Sequence, residues 1–235
     1  MKTNVLWTCL AAAALCTQAH AITFTSTSFS VDAAAQADGP AGFASQSTPM
    51  STLPLTVSAD SVGPLDLATA GAIGAPGLLN TSADASSGGG IASAVGTSYF
   101  SGSFISDAQP YLTIDFSSLD FSFGAGSALT TAFMTLTSGG STLFSGFLDS
   151  STSFSRYFAP GTTGLLDLTL SSEAAAGFPT AGLGNGSAYG QVLITSAVPL
   201  PAPWLLMLTG LGPVFMAKKR AWAEKRRQPA EPVPA

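Results

Sequence analysis

Histidine and cysteine are nearly missing from this chain of 235 residues, and their positions matter more than their number. The single histidine is His20, and the two cysteines are Cys9 and Cys16, so residues 22–197 contain neither. Within that region, Ser-His-Asp and Cys-His catalysis are excluded, and so are metal sites built from thiolates or imidazoles. A disulfide is excluded too. Positive charge is just as scarce, because Arg156 is the only base in 22–197 and faces eleven acids, from Asp32 to Glu173. So acidic a body repels phosphate backbones, which argues against a nucleic-acid partner. Charged residues make up only 9% of the whole chain, too few for ion pairs to hold a fold together. A sustained helical period is also lacking in 22–197, leaving β-structure as the alternative.

The two ends carry what the middle lacks. Lys2 gives a positive start, Val5 to Cys16 form an apolar core, and Ala19-His20-Ala21 reads as a small-residue cleavage site. This is the pattern of a secretory signal peptide spanning 1–21, with Ala19 and Ala21 setting a cut before Ile22. A lipoprotein signal fits less well: Cys9 comes too early, and Ala13-Ala14-Leu15 ahead of Cys16 is no lipobox. Near the other end, Val198-Pro199-Leu200-Pro201-Ala202 is followed by an apolar run over 203–217 and then by Lys218-Lys219-Arg220. As a helix, Trp204 to Ala217 would reach about 21 Å, and the whole uncharged run from Val198 about 30 Å, the thickness of a hydrocarbon core. Pro213 would remove one hydrogen bond from such a helix. The basic cluster places that end in the cytoplasm and the acidic body outside.

Motif, apolar run and basic cluster, in that order over 198–220, resemble the C-terminal sorting signal of PEP-CTERM proteins. These are the substrates of exosortases in biofilm-forming Gram-negative bacteria. Leu200 stands where the commoner motif has Glu, so the variant resembled is the Val-Pro-Leu-Pro-Ala one. Pro213 and the tail over 221–235 depart from the usual arrangement. The resemblance implies an exosortase-type sorting transpeptidase as partner, with Val198, Pro199, Leu200, Pro201 and Ala202 as its recognition residues. The nucleophile would belong to that partner. It further implies a stay in the inner membrane before processing, then a place at the cell surface or in an exopolysaccharide matrix. A plain single-pass anchor is the simpler alternative.

Between the signals, short apolar-polar runs separated by Gly and Ser predict an all-β domain, an antiparallel sandwich or jelly roll, followed by a single C-terminal transmembrane helix. Ile22 to Val31 reads as an opening strand. Composition over Ala33 to Val95 shifts to Ala, Gly, Ser, Asp and Pro, which predicts mostly loop across 22–97, with one edge strand at Ser51 to Ser58. The strand-rich part of the same domain is expected over 98–197. Its strands are Ser98–Ile105, Tyr111–Phe116, Leu119–Phe123, Ala132–Thr137, Thr142–Leu148, Ser153–Phe158, Leu166–Ser171 and Tyr189–Thr195. One helical turn is expected at Ser171 to Gly177.

Few residues suggest chemistry. Asp115 and Asp120 flank an expected turn and could act as paired carboxylates in glycoside hydrolysis or as Ca²⁺ ligands. The plainer expectation is two outward-facing acids beside inward phenylalanines. Arg156 could pair with Asp149 or Asp167. Tyr99, Phe100 and Tyr111 could form a sugar-stacking platform, although spaced strand aromatics are more often core. Thr23-Phe24-Thr25 and Thr135-Leu136-Thr137 hint at an ice-binding face, too briefly for a regular array. No cofactor and no catalytic residue is expected. The leading expectation is a non-enzymatic surface or matrix protein. A carbohydrate-binding, adhesin-like or ice-binding module comes next, and a glycosidase third.

Overall fold

The computed structural model describes residues 22–38, 42–106, 111–150, 152–177 and 182–197. Among these residues the chain forms twelve strands and no helix. They are β1 (Ile22–Ala37), β2 (Phe43–Ser47), β3 (Leu55–Val62), β4 (Asp66–Ala75), β5 (Leu78–Gly88) and β6 (Ala92–Ser106). Then come β7 (Tyr111–Gly124), β8 (Gly126–Ser138), β9 (Ser141–Phe147), β10 (Phe154–Tyr157), β11 (Thr163–Ala176) and β12 (Leu183–Ala197). Two six-stranded sheets, ordered β2-β1-β6-β11-β8-β9 and β10-β7-β12-β5-β4-β3, pack face to face as a sandwich. Every pairing is antiparallel. The expected membrane helix over 203–217 lies outside the described residues.

The stretch expected to be mostly loop is mostly strand. Ala33 to Val95 supplies the end of β1, all of β2 to β5 and the start of β6. Alternation is present there, but written in small residues: Ala33, Ala35 and Ala37, then Ala68, Ala70 and Ala72, then Ala83 and Ala85 all point inward and are buried. Alanine is depleted in strands, so composition points away from the structure the period specifies. Two further expectations are corrected. Tyr111–Phe116 and Leu119–Phe123 are one strand, because Ser117 and Ser118 stay in register with Gln191 and Gly190 of β12. Ser171 to Ala176 continues β11 rather than making a helical turn.

Side-chain size grades along the strands. In the first sheet, one rung across β1, β6, β11 and β8 reads Phe29, Phe100, Leu168, Met134. Three rungs further on, the same strands present Ala35, Ala94, Ala174 and Ala128. The second sheet follows suit, from Phe116, Val192 and Leu79 to Ala188, Ala83, Ala70 and Ala59. Buried apolar residues accordingly form two clusters, one of large side chains and one almost entirely of alanine. At the alanine end the sheets lie so close that a Cβ on Gly96 would overlap the Gly71 carbonyl oxygen and come within 2.7 Å of the Ser82 oxygen.

Hairpins join neighbours within a sheet. Between β8 and β9, Gly139 and Gly140 both have positive φ (58° and 76°), the pairing a two-residue type I′ turn requires. From β9 to β12 the chain changes sheet at each connection, and each half of the sequence contributes strands to both sheets.

Candidate functional site

Asp115 and Asp120 share β7, five residues apart. An odd spacing on a continuous strand puts two side chains on opposite faces, and the rise separates their Cα atoms by about 17 Å. Paired glycosidase carboxylates sit about 5–9.5 Å apart, so these two acids do not form such a pair, nor can they share one cation. Asp115 is exposed and accepts a hydrogen bond from the Ser153 hydroxyl. Asp120 lies at the rim of the sandwich, on the inward phase of β7. Its Oδ2 accepts from the Thr130 backbone N–H at 3.0 Å and its Oδ1 from the Thr130 hydroxyl at 2.6 Å. The plainer expectation therefore holds for Asp115 and not for Asp120. Of the neighbouring phenylalanines, Phe116 is buried, while Phe121 and Phe123 are exposed.

Asp120 ends a polar chain that crosses the sandwich. Thr130 Oγ1 lies 3.2 Å from Ser172 Oγ, which lies 2.7 Å from Thr81 Oγ1. Because the Thr130 proton is committed to Asp120, a consistent direction is Thr81 to Ser172 to Thr130 to the carboxylate, each hydroxyl donating once. Thr81, Ser172 and Thr130 are all buried, and the chain runs between the two apolar clusters. Ser98 makes a second crossing nearby, its hydroxyl 3.0 Å from the carbonyl oxygens of both Ile73 and Asn80. The sequence held a signal for this seam. Ser172 occupies the next inward position after Leu166, Leu168 and Leu170, and a hydroxyl there needs a partner.

The remaining candidates do not converge. Phe100 is core, Tyr99 lies on the outer face of the first sheet, and Tyr111 lies on the second, its ring 5.5 Å from that of Tyr157. They form no common platform. Asp167 accepts from the Tyr99 hydroxyl at 3.1 Å, and Arg156 stands exposed on β10 in the other sheet. Burial pushes the Tyr99 phenol above its ordinary value; Asp167 adds to the rise, and a hydrogen bond with Ser101 opposes it. Both Thr-x-Thr pieces fall at register shifts, one between Phe24 and Ser26 and one between Leu136 and Thr137, which interrupts any regular array.

Acids also clamp the turns at the alanine end. Asp66, buried, accepts from Gly88 N and Gly90 N at 3.1 and 3.2 Å, and Asp38 accepts from Ile91 N at 3.0 Å. Among the described residues, no three His, Cys, Asp or Glu side chains are grouped to hold a metal ion. Ala19, Ala21, Val198, Pro199, Leu200, Pro201, Ala202, Lys218, Lys219 and Arg220 all lie outside the described residues. No protein-family model matches the chain, and no curated protein matches it significantly.

Proposed function

We propose that the chain is an exported, non-enzymatic surface or matrix protein whose sandwich is the delivered body. The supporting observation is that the residues lying between the two expected signals build the sandwich. Ile22, the residue after the expected signal-peptide cut, already belongs to β1, and Ala197, directly before Val198, still belongs to β12. Ile22 is buried, and β12 is paired with β7 from Gly184 to Ala197. A segment with Pro199 and Pro201 directly after the last strand lacks two backbone donors and favours extended conformations, which suits capture by a processing enzyme. In this reading the run over 203–217 is a transmembrane helix, Lys218, Lys219 and Arg220 hold its end in the cytoplasm, and the N-terminal body lies outside. An exosortase-type transpeptidase recognises Val198 to Ala202 and separates the body from its helix.

The intact mass of the protein recovered from the envelope and medium of its host tests this. A chain beginning at Ile22 and ending between Val198 and Ala202 is the expected result. A chain that still extends to Ala235 would leave a permanent single-pass anchor and end the sorting reading.

A carbohydrate-binding body is the second reading, favoured by the exposed Tyr111–Tyr157 pair on the outer face of the second sheet. Polysaccharide pull-down that is lost on Tyr157→Ala would support it, and no binding to any polysaccharide would remove it.

A further inference from the structure

Among the described residues, several edges of the sandwich are short, interrupted or partly capped. β2, β9 and β10 are short, at five, seven and four residues. On β3 the backbone N–H of Ser58 is taken by the Gln46 side chain, and on β1 a register shift between Phe24 and Ser26 interrupts the edge. On the open part of β8, Asp120 caps the Thr130 N–H and the Leu148 N–H caps the Ala132 carbonyl. Such devices keep sheet edges from pairing with other chains.

β7 differs. β12 pairs it from Tyr111 to Gly124, but β10 covers its other side only from Tyr111 to Ile114. From Ser118 to Gly124 no described strand lies against that side. The same stretch exposes Leu119, Phe121 and Phe123 by 71%, 60% and 71%. It carries no lysine, proline or register shift.

We infer that this edge pairs with the same edge of a second copy, antiparallel about a two-fold axis through Phe121. A free row of backbone donors and acceptors is satisfied by a strand, and this strand is self-complementary. With Phe121 opposite Phe121 of the second copy, Leu119 meets Phe123 on one face, and Asp120 meets Ser122 on the other. No acid opposes an acid, and the hydroxyl of Ser122 faces a carboxylate. The overlap stops short of Asp115 and its Ser153 contact, so β10 is undisturbed. The interface is isologous and closes at two copies. The acidic bodies repel each other, so added salt strengthens the pairing.

Sedimentation velocity on the full chain in detergent, over a concentration series, tests the inference. Phe121→Lys is compared with Leu129→Lys, a control at an exposed apolar residue of the other sheet. Wild type is expected to dimerise reversibly, with association weakened at least about tenfold by Phe121→Lys and unchanged by Leu129→Lys. Circular dichroism checks folding, and Phe123→Lys serves if Phe121→Lys does not fold. With Cys9 and Cys16 replaced by serine, Phe121→Cys should give a disulfide-linked dimer on mild oxidation, and Ser117→Cys should not. A wild type monomeric throughout, equal weakening by both lysines, or equal crosslinking by both cysteines would each overturn it.

Discussion

The two halves of the sandwich core solve the same problem with different materials. Around Phe100, Leu168 and Met134 the sheets are held by large apolar side chains, whereas around Ala94, Ala83 and Ala188 they are held by methyl groups and close backbone approach. A large side chain buries more apolar area, so the first half carries most of the hydrophobic stabilisation per residue. The alanine half gains from contact and from fixing little side-chain entropy, since alanine has almost none to lose. Its weakness follows from the same fact. Where nothing but backbone and methyl groups fills the gap, no rotamer can move aside for an added atom.

The two halves should therefore fail in opposite directions. In the large-residue half, truncation is the damaging change: Leu168→Ala is expected to cost about 2–5 kcal/mol, read as a lower denaturation midpoint at an unchanged slope. A loss below about 1 kcal/mol would mean that this half is not the main source of stability. In the alanine half, addition is the damaging change. Gly96→Ala drives a methyl into the Gly71 and Ser82 carbonyl oxygens, both backbone, and is expected to cost about 1–3 kcal/mol. Gly146→Ala is the control, because its methyl would meet nothing closer than a Phe144 ring atom at 3.6 Å. If both glycine changes were equally harmless, the close approach of the sheets would be wrong.

The polar seam marks the border between the halves, and its effect should be smaller and conditional. Ser172→Ala leaves the buried Thr81 hydroxyl without its side-chain partner, at a cost of about 1–3 kcal/mol. Adding Thr81→Val to that variant should recover part of the loss, since an apolar pair leaves no orphaned hydroxyl. Strictly additive losses in the double-mutant cycle would show that Thr81 and Ser172 do not act together.

The same contrast explains what could be read from the sequence. Leu166, Leu168 and Leu170 announce their strand through size as well as period, and the all-β sandwich follows from runs of that kind. Ala68, Ala70 and Ala72 keep the same period, yet alanine has poor strand propensity, and their section resembles loop until the pairing with β3 and β5 is known. Pairing also decided the candidate site. Asp115 and Asp120 were visible as acids, but their separation depended on whether Ser117-Ser118 turned the chain. Once β7 runs through, odd spacing puts them on opposite faces. The role of Asp120 as a cap on β8 was not legible, because Thr130 comes from the other sheet.

Tyr99 probes the border from outside, and its effect should be the smallest. It follows Ser98, whose hydroxyl bridges the sheets, and precedes the core residue Phe100. Burial, with the Asp167 carboxylate adding to it, holds the phenol above its ordinary value. An unfolded tyrosine ionises near 10, so above that pH the unfolded chain releases the proton before the folded chain does. The stabilisation linked to this group is thus complete below about pH 10, falls as pH rises toward the folded value, and is lost beyond it. Tyr99→Phe removes that slope and with it the hydrogen bond to Asp167, a partly exposed contact of modest worth. Denaturation midpoints compared at neutral pH and above pH 10 should show the two proteins converging as pH rises. Parallel curves would mean that the ring contributes through packing, and that Asp167 leaves its ionisation untouched.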